Sequence, residues 1–387
     1  MPSKQFDTIW KAEPHTIAKI ELLQAYLKAW LSILGIRRRG QQLLYIDGFA
    51  GPGEYTNHPT GSPIAAIEAA NSVMETHARD WIAGDIHCAF IDSDPKRMDH
   101  LKRRIARLPL MNRLHVYMHG TTFVEGIGQV RKEICEPFTK GHPLFVFIDP
   151  FGAKGVPFGT VSEILSSSCS EVLINLDADG IDRIFHAGDD ACADANLTDI
   201  FGNDCWRSEL SREGIASERC RRVLDLYKRR LRTINDVKYV FSFEMKGHHA
   251  TLNYYLVFAS QNRLGLQKMK EAMRSIGQNG DYSFSDAGVG QMSMFQADQG
   301  DEIERFAGKV YGFCKGRRLS YQEVEDYVLN ETSCSNPKKI LKCLEDQGRL
   351  RKVEVKPGDV RRKGYFAEEV VVAVTFTDSS VPTSLFD

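Results

Sequence analysis

Leu43-Leu-Tyr-Ile-Asp47-Gly48-Phe49-Ala50-Gly51-Pro52-Gly53 reads as an apolar strand that ends in an acid and enters a glycine-rich turn. Glycine lets a backbone approach a ligand closely, and open α/β folds bind ligands outside the carboxyl ends of their strands. A pyrophosphate does not fit this turn. A dinucleotide fingerprint needs Gly-x-Gly-x-x-Gly opening directly into a helix, and the third position here is Thr56. The next helix is expected at Gly61-Ser62-Pro63, with Ser62 as N-cap and Pro63 in the first turn, so about eight residues should hold the glycines away from its dipole. No Gly-Lys-Ser/Thr follows at P-loop spacing.

Upstream, Ile17, Ile20, Leu23, Leu27, Trp30, Leu31 and Leu34 recur at helical spacing, with Lys19, Glu21 and Lys28 between them, which predicts an amphipathic helix from Pro14 to Leu34. Downstream, short runs rich in β-formers at Cys88 to Asp92, Leu114 to Met118, Leu144 to Asp149 and Glu171 to Leu176 alternate with helix-like stretches. That alternation predicts a parallel sheet with helices on both faces. After a helical insertion over about 178–236, the runs Val237 to Phe243 and Asn253 to Ala259 are joined by about nine residues, too few for a parallel crossover. An antiparallel pair closing a parallel sheet predicts the Rossmann-like α/β sheet of class I methyltransferases, filling 1–276.

Residues 277–300 are polar and glycine-rich and read as a linker. In 301–387, Glu302 to Phe313 reads as a helix, Ser320-Tyr-Gln-Glu323 as a capping box, and Asn336-Pro337 as the start of a helix that Gly348 ends. Arg349 to Val355 and Gly364 to Phe376 then alternate as strands around Lys356-Pro-Gly-Asp359. Three helices and a β-hairpin predict a winged-helix-like domain.

S-adenosylmethionine carries no phosphate but has a sulfonium and an ammonium, so a carboxylate beside a glycine turn suits it. Asp47, Gly48, Phe49, Ala50, Gly51 and Gly53 are the candidate cofactor residues, with Asp92 at the end of Phe90-Ile-Asp92 as ribose ligand and Asp94 as a local alternative. Asp149-Pro150-Phe151-Gly152 follows the fourth strand at the same edge. Amino methyltransferases place an Asp-Pro-Pro-aromatic motif there, in which acid and carbonyl accept from the target amine and the ring stacks on an extruded base. Asp149, Pro150 and Phe151 are therefore the candidate catalytic residues, although one proline of the motif is missing.

Tyr45-Ile-Asp47-Gly-Phe-Ala-Gly-Pro-Gly53, Gly61-Ser-Pro63, Phe147-Ile-Asp149-Pro-Phe-Gly152, Glu171-Val-Leu-Ile-Asn175 and Tyr255-Leu-Val-Phe-Ala259 with Gly265 and Met269-Lys270 resemble the three-Cys-motif partner proteins, TcmP. The resemblance covers nearly the whole chain. It implies a class I methyltransferase-like domain using S-adenosylmethionine, and a three-cysteine partner that resembles radical S-adenosylmethionine enzymes. Where methyltransferases commonly have an acid after the third strand to meet the adenine amine, this chain has Met118-His-Gly-Thr121.

Fifty basic against 51 acidic residues leave a net charge of -1, so any nucleic-acid contact must come from local patches. Residues 336–365 hold ten basic and four acidic side chains, a net +6, with Lys338, Lys339 and Lys342 on the helix and Arg361, Arg362 and Lys363 on the wing as candidate phosphate ligands. A second basic run, Arg219 to Arg232, is expected to cap the active site. The nine cysteines form no CxxC pair and read as reduced, mostly buried thiols, and His248-His249 reads as a turn, so no metal site is expected. MPSKQFDTIW lacks the start of a secretory signal, which suggests a cytoplasmic protein without membrane contact. Taken together the residues point to a methyltransferase acting on nucleic acid. The alternatives are a non-catalytic methyltransferase-like module that binds nucleic acid or the three-cysteine partner, and a nuclease on a Rossmann-like core, which the lack of a clustered metal motif disfavours.

Overall fold

The computed structural model describes residues 8–187, 191–246, 253–276, 283–285 and 299–378. Two compact units divide the chain, Met1–Gln291 and Met292–Asp387. The first is built on strands β1 (Leu43–Asp47), β2 (Ile86–Ile91), β3 (Leu114–His119), β4 (Leu144–Ile148), β5 (Ser170–Leu176), β6 (Tyr239–Lys246), β7 (Asn253–Ser260) and β8 (Ser283–Ser285). They lie in the order β3-β2-β1-β4-β5-β7-β6-β8. β1 to β5 pair in parallel, and β7 runs antiparallel to both β5 and β6.

Both faces of the central strands are covered, which is why they read as unbroken apolar runs. Leu44, Ile46, Val146 and Ile174 belong to one core with Phe123, Phe158, Ile181 and Tyr227. By the two-residue period of a strand, Leu43, Tyr45 and Asp47 point to the opposite face. There Phe145 meets Tyr45 on the sheet and Tyr26 and Trp30 of the long helix Pro14–Gly35. That helix packs on Ser62–Thr76 and on Arg263–Ile276.

Several local expectations are corrected. The stretch 277–300 is not all linker: Ser283–Ser285 adds to the sheet beside β6, and a helix already begins at Gln299. The basic helix, Ala216–Arg232, packs on Ala178–His186, the helix that follows β5, and its Tyr227 reaches the end of that strand beside Asn175. The helix also lies against β6 and β7 with Cys220, Val223, Leu224 and Tyr227 in the core, and its Arg219, Arg229 and Arg230 are engaged by Asp182, Glu209 and the Phe201 carbonyl. Residues His248 and His249 lie outside the described residues.

In the second unit, helices Gln299–Cys314, Tyr321–Glu331 and Pro337–Asp346 pack with strands β9 (Arg318–Ser320), β10 (Leu350–Val355) and β11 (Val371–Phe376) around Val310, Val324, Ile340, Leu344 and Val374. The strands form an antiparallel sheet in the order β10-β11-β9. Ser320 and Glu323 cap each other's amides, and Asn336 accepts from the Lys338 amide at 3.2 Å. β11 starts at Val371, not at Gly364, because Gly364 takes a left-handed φ of 77° and the Val370 and Val371 amides fold back onto the Ala367 carbonyl.

Candidate functional site

The turn after β1 is stitched between its neighbours: the Gly48 amide donates to the Phe147 carbonyl at 2.8 Å and the Ala50 amide to the Ile91 carbonyl at 2.9 Å. Gly51 and Gly53 have φ of 62° and 80°, a region that disfavours side chains. Gly48 leaves room for the Phe123 ring, which a Cβ would meet at 2.7 Å, and Phe49 stacks on that same ring. These two therefore brace the turn from behind.

The helix after the turn comes back to it. Residues 54–60 loop out, and the Gly61 amide then donates to the Gly53 carbonyl at 2.7 Å. A Cβ on Gly61 would stand 2.7 Å from the Gly53 carbonyl carbon, so glycine is what permits this contact. The expected separation of the glycines from the helix start is thus overturned. Gly61 and not Ser62 is the N-cap, with no side chain capping the helix. Glu54 anchors the excursion through His100 and Arg104, both at 2.8 Å, and Asn57 bridges the Ala12 amide and carbonyl.

Asp47 is fully buried, at 0% exposure. Its Oδ1 accepts from the Phe49 amide at 3.2 Å, while Oδ2 is buried without a hydrogen bond of ordinary geometry. Burial pushes the carboxyl up to about 7; the nearby Ser62 hydroxyl and the Phe49 amide oppose the rise, and the charges of Asp149 and Asp92 add to it. Asp92, one strand over, is also buried and accepts from the Gly51 amide at 2.9 Å and the Asp94 amide at 2.8 Å. Burial raises it too, against those amides and the Arg97 guanidinium, 3.8 Å away. Asp94, not Asp92, caps the helix Pro95–Ile105 by accepting from the Lys96 and Arg97 amides.

Asp149 leaves the end of β4 beside them. Lys19, expected on the polar side of its helix, is only 7% exposed and donates to both Asp149 oxygens, at 2.8 and 2.6 Å. Asn175 donates to Asp149 Oδ1 at 2.6 Å, and its own Oδ1 is buried without a hydrogen bond. A cavity of about 20 Å³, room for about one water, runs from Pro150 and Gly152 past Asn175 to Asp177 and Tyr227. Phe151 is 59% exposed, and the Arg97 guanidinium lies 4.5 Å from its ring centre and 5.2 Å from that of Trp10. Arg97 therefore links Asp92, at the end of β2, to Phe151, just beyond β4.

Asp47, Asp92 and Asp149 thus stand at the ends of three adjacent strands. Lys19, Trp10, Arg97 and Asn175 complete the cluster and were missed as site residues. Asn175 lies within the motif run, and the only signal for Lys19 was its position one residue from Ile20 on a helix otherwise buried there.

In the second unit Lys338, Lys339, Lys342, Arg362 and Lys363 are exposed. Arg361 departs from the expectation: it is ion-paired with Glu345 and lies over the Phe366 ring, while Lys363 stands 3.9 Å from Asp346. Among the described residues no group of three or more His, Cys, Asp or Glu side chains could hold a metal, and no helix is long and apolar enough to cross a membrane.

The strand order, with one antiparallel strand among parallel ones, makes a mixed, Rossmann-like α/β sheet. Solved structures similar to the chain include the O-methyltransferase from Bacillus cereus in complex with SAH, at 14% identity over 61% of this chain and 80% of that chain, TM-score 0.32. Others are a protein from Legionella pneumophila, at 11% over 64% and 85%, TM-score 0.36, and a cofactor-bound protein from MTB, at 12% over 64% and 90%, TM-score 0.32. No protein-family model and no curated protein matches the chain.

Proposed function

We propose that the chain is an S-adenosylmethionine-dependent methyltransferase acting on an amino group of a nucleic-acid base. The observation that carries this reading is the delivery of Asp47, Asp92 and Asp149 to one sheet edge by adjacent strands, the first with a buried oxygen that lacks a hydrogen bond of ordinary geometry. Such an oxygen suits an ammonium, and it argues against a phosphate even though the helix start lies beside the turn. When bound, S-adenosylmethionine would supply an electrophilic methyl group on sulfur. Asp47 would hold the ammonium, and Asp92 would accept from ribose hydroxyls with the lone pairs its two amide bonds leave. Gly51 and Gly53 let the backbone lie against the nucleoside.

On the acceptor side, an amine has N–H donors to place, and Asn175 Oδ1, Asp149 and the Pro150 carbonyl are the acceptors. Lys19 and Asn175 fix the Asp149 carboxylate, so that positioning supplies most of the rate. As the nitrogen gains the methyl group, it gives up a proton, for which Asp149 is the receiving carboxylate. Phe151 offers its exposed ring to a base.

Nucleic acid is favoured by the second unit, which we read as winged-helix-like from its order helix, strand, helix, helix, strand, strand, and whose Lys338, Lys339, Lys342 and Arg362 are exposed. The resemblance to three-Cys-motif partner proteins supports the same core and adds a three-cysteine, radical-S-adenosylmethionine-like protein as partner. One observation favours a non-catalytic module instead: Lys19 already occupies both oxygens of Asp149. Calorimetry with S-adenosylhomocysteine and a methyl-transfer assay on RNA and DNA separate the two. For an enzyme, Asp149→Ala loses transfer and keeps cofactor binding; for a scaffold, the wild-type chain binds and transfers nothing. Absence of S-adenosylhomocysteine binding by the wild-type chain overturns both.

A further inference from the structure

At the opposite edge of the sheet, where β4 and β5 begin and β7 ends, lies a cavity of about 130 Å³. Tyr26, Trp30, Ile33 and Leu34 of the first helix and Leu264 of Arg263–Ile276 form its apolar walls. An apolar cavity of about 150 Å³ holds a benzene ring, so this one is ring-sized. Its polar base is closed: Glu171 is buried, with the Tyr26 hydroxyl donating to Oε2 at 2.5 Å and the Ser260 hydroxyl to Oε1 at 2.8 Å. Gly265 lets the second helix close on that carboxylate, since a Cβ there would fall 1.9 Å from Oε1.

The remaining charged lining is cationic, with Gln261 and Asn262 as neutral polar neighbours. Arg37 is exposed, and its guanidinium makes no hydrogen bond or ion pair among the described residues; Arg38 has only the Cys169 sulfur, 3.8 Å from Nη2. Lys268 stands beside them, paired with Glu271 at 2.7 Å. An apolar, ring-sized chamber under two guanidiniums without carboxylate partners selects a ligand with the same two parts. Planar guanidinium forks match carboxylates in particular.

We infer that this amino-edge cavity is a second binding site, for a small organic carboxylate with a ring-sized apolar body, separate from the cofactor edge. The inference does not depend on the proposed function, because no residue of the cavity belongs to the cluster around Asp47 and Asp149. The test titrates sodium benzoate into the full chain by calorimetry and ligand-observed NMR, with benzyl alcohol as the uncharged counterpart. Saturable benzoate binding is expected, at least about tenfold tighter than benzyl alcohol and at least about tenfold weaker in Arg37→Gln/Arg38→Gln. Leu264→Phe, which fills the chamber, should abolish it. Thermal melting of both variants checks that they fold, and the arginine pair, at the surface, keeps the test intact should the filled variant not. No saturation by about 10 mM benzoate, equal binding of the alcohol, or binding indifferent to the arginines would each overturn the proposal.

Discussion

Asp47→Asn should separate stability from cofactor binding, with a pH dependence whose size follows from the structure. In the folded chain burial raises this carboxyl from an ordinary 3.8 to about 7. Between those values the unfolded chain is ionised while the native chain holds a proton. The native state therefore binds more protons, and stability falls as pH rises through this window, then levels off above about 7. At 1.36 kcal/mol per unit, the penalty at pH 8 reaches about 4 kcal/mol. Asparagine cannot ionise, so the variant lacks this slope. Its buried amide, left without an acceptor, costs roughly 1–3 kcal/mol, so the net gain at pH 8 is about 1–3 kcal/mol. The change between pH 5 and pH 8 is free of that constant cost, and the wild-type chain should lose about 3 kcal/mol relative to the variant over that interval. Urea unfolding followed by tryptophan fluorescence measures this for the first unit alone, because Trp10, Trp30, Trp81 and Trp206 all lie in it. In parallel, wild-type affinity for S-adenosylhomocysteine should weaken about tenfold for each pH unit below 7, since the ammonium selects the ionised carboxylate, whereas the variant binds weakly at every pH. Wild-type and variant stability curves that run parallel from pH 5 to 8 would refute the reasoning.

Lys19→Met should destabilise the first unit by about 3 kcal/mol, because it strands a partly buried carboxylate, and adding Asp149→Asn should recover most of that loss; a double-mutant cycle by urea melts reads the coupling. Gly61→Ala puts a Cβ against the Gly53 backbone, so the glycine turn must shift, and S-adenosylhomocysteine affinity measured by calorimetry should fall by at least about tenfold with the sheet still folded. Lys338→Ala/Lys339→Ala should lower the slope of log affinity for RNA or DNA against log salt by about 2, whereas Arg361→Ala should chiefly lower the melting temperature of the second unit, because its guanidinium serves Glu345.

What could be read from the chain depended on how local the cause was. β1, β4, β5 and β7 fall within a residue or so of the expected runs because strands buried on both faces must be apolar throughout, and the edge strand β3 falls there too although His115 is exposed and Val116 to Met118 are half-buried. β2 begins two residues earlier, at Ile86, and β6 two residues later, at Tyr239, than their hydrophobic runs suggest. The capping box at Ser320 and the Asn336-Pro337 start are hydrogen bonds between near neighbours, and such signals are written in spacing. Ser283–Ser285 carries no comparable signal, since a lone Phe284 between two serines is too short a run to read as a strand and becomes one only by pairing with β6.

The site divides along the same line. Three acids at strand ends are legible because a strand's direction fixes which end meets the ligand. Lys19 is not, because a lysine one position from Ile20 reads as solvated until its partner, 130 residues away, is known to lie across the helix. Arg97 and Trp10 likewise gain meaning only from Phe151, far from both in sequence, although Arg97 also has Asp92 as a near neighbour in the chain. Arg361 errs in the opposite sense: charge counting placed it on a phosphate-binding wing, and a carboxylate sixteen residues earlier claims it. The charges hardest to read in the sequence are the ones whose partners are distant, so a buried oxygen without a hydrogen bond of ordinary geometry, such as Asp47 Oδ2, is a firmer guide than any local run of charge.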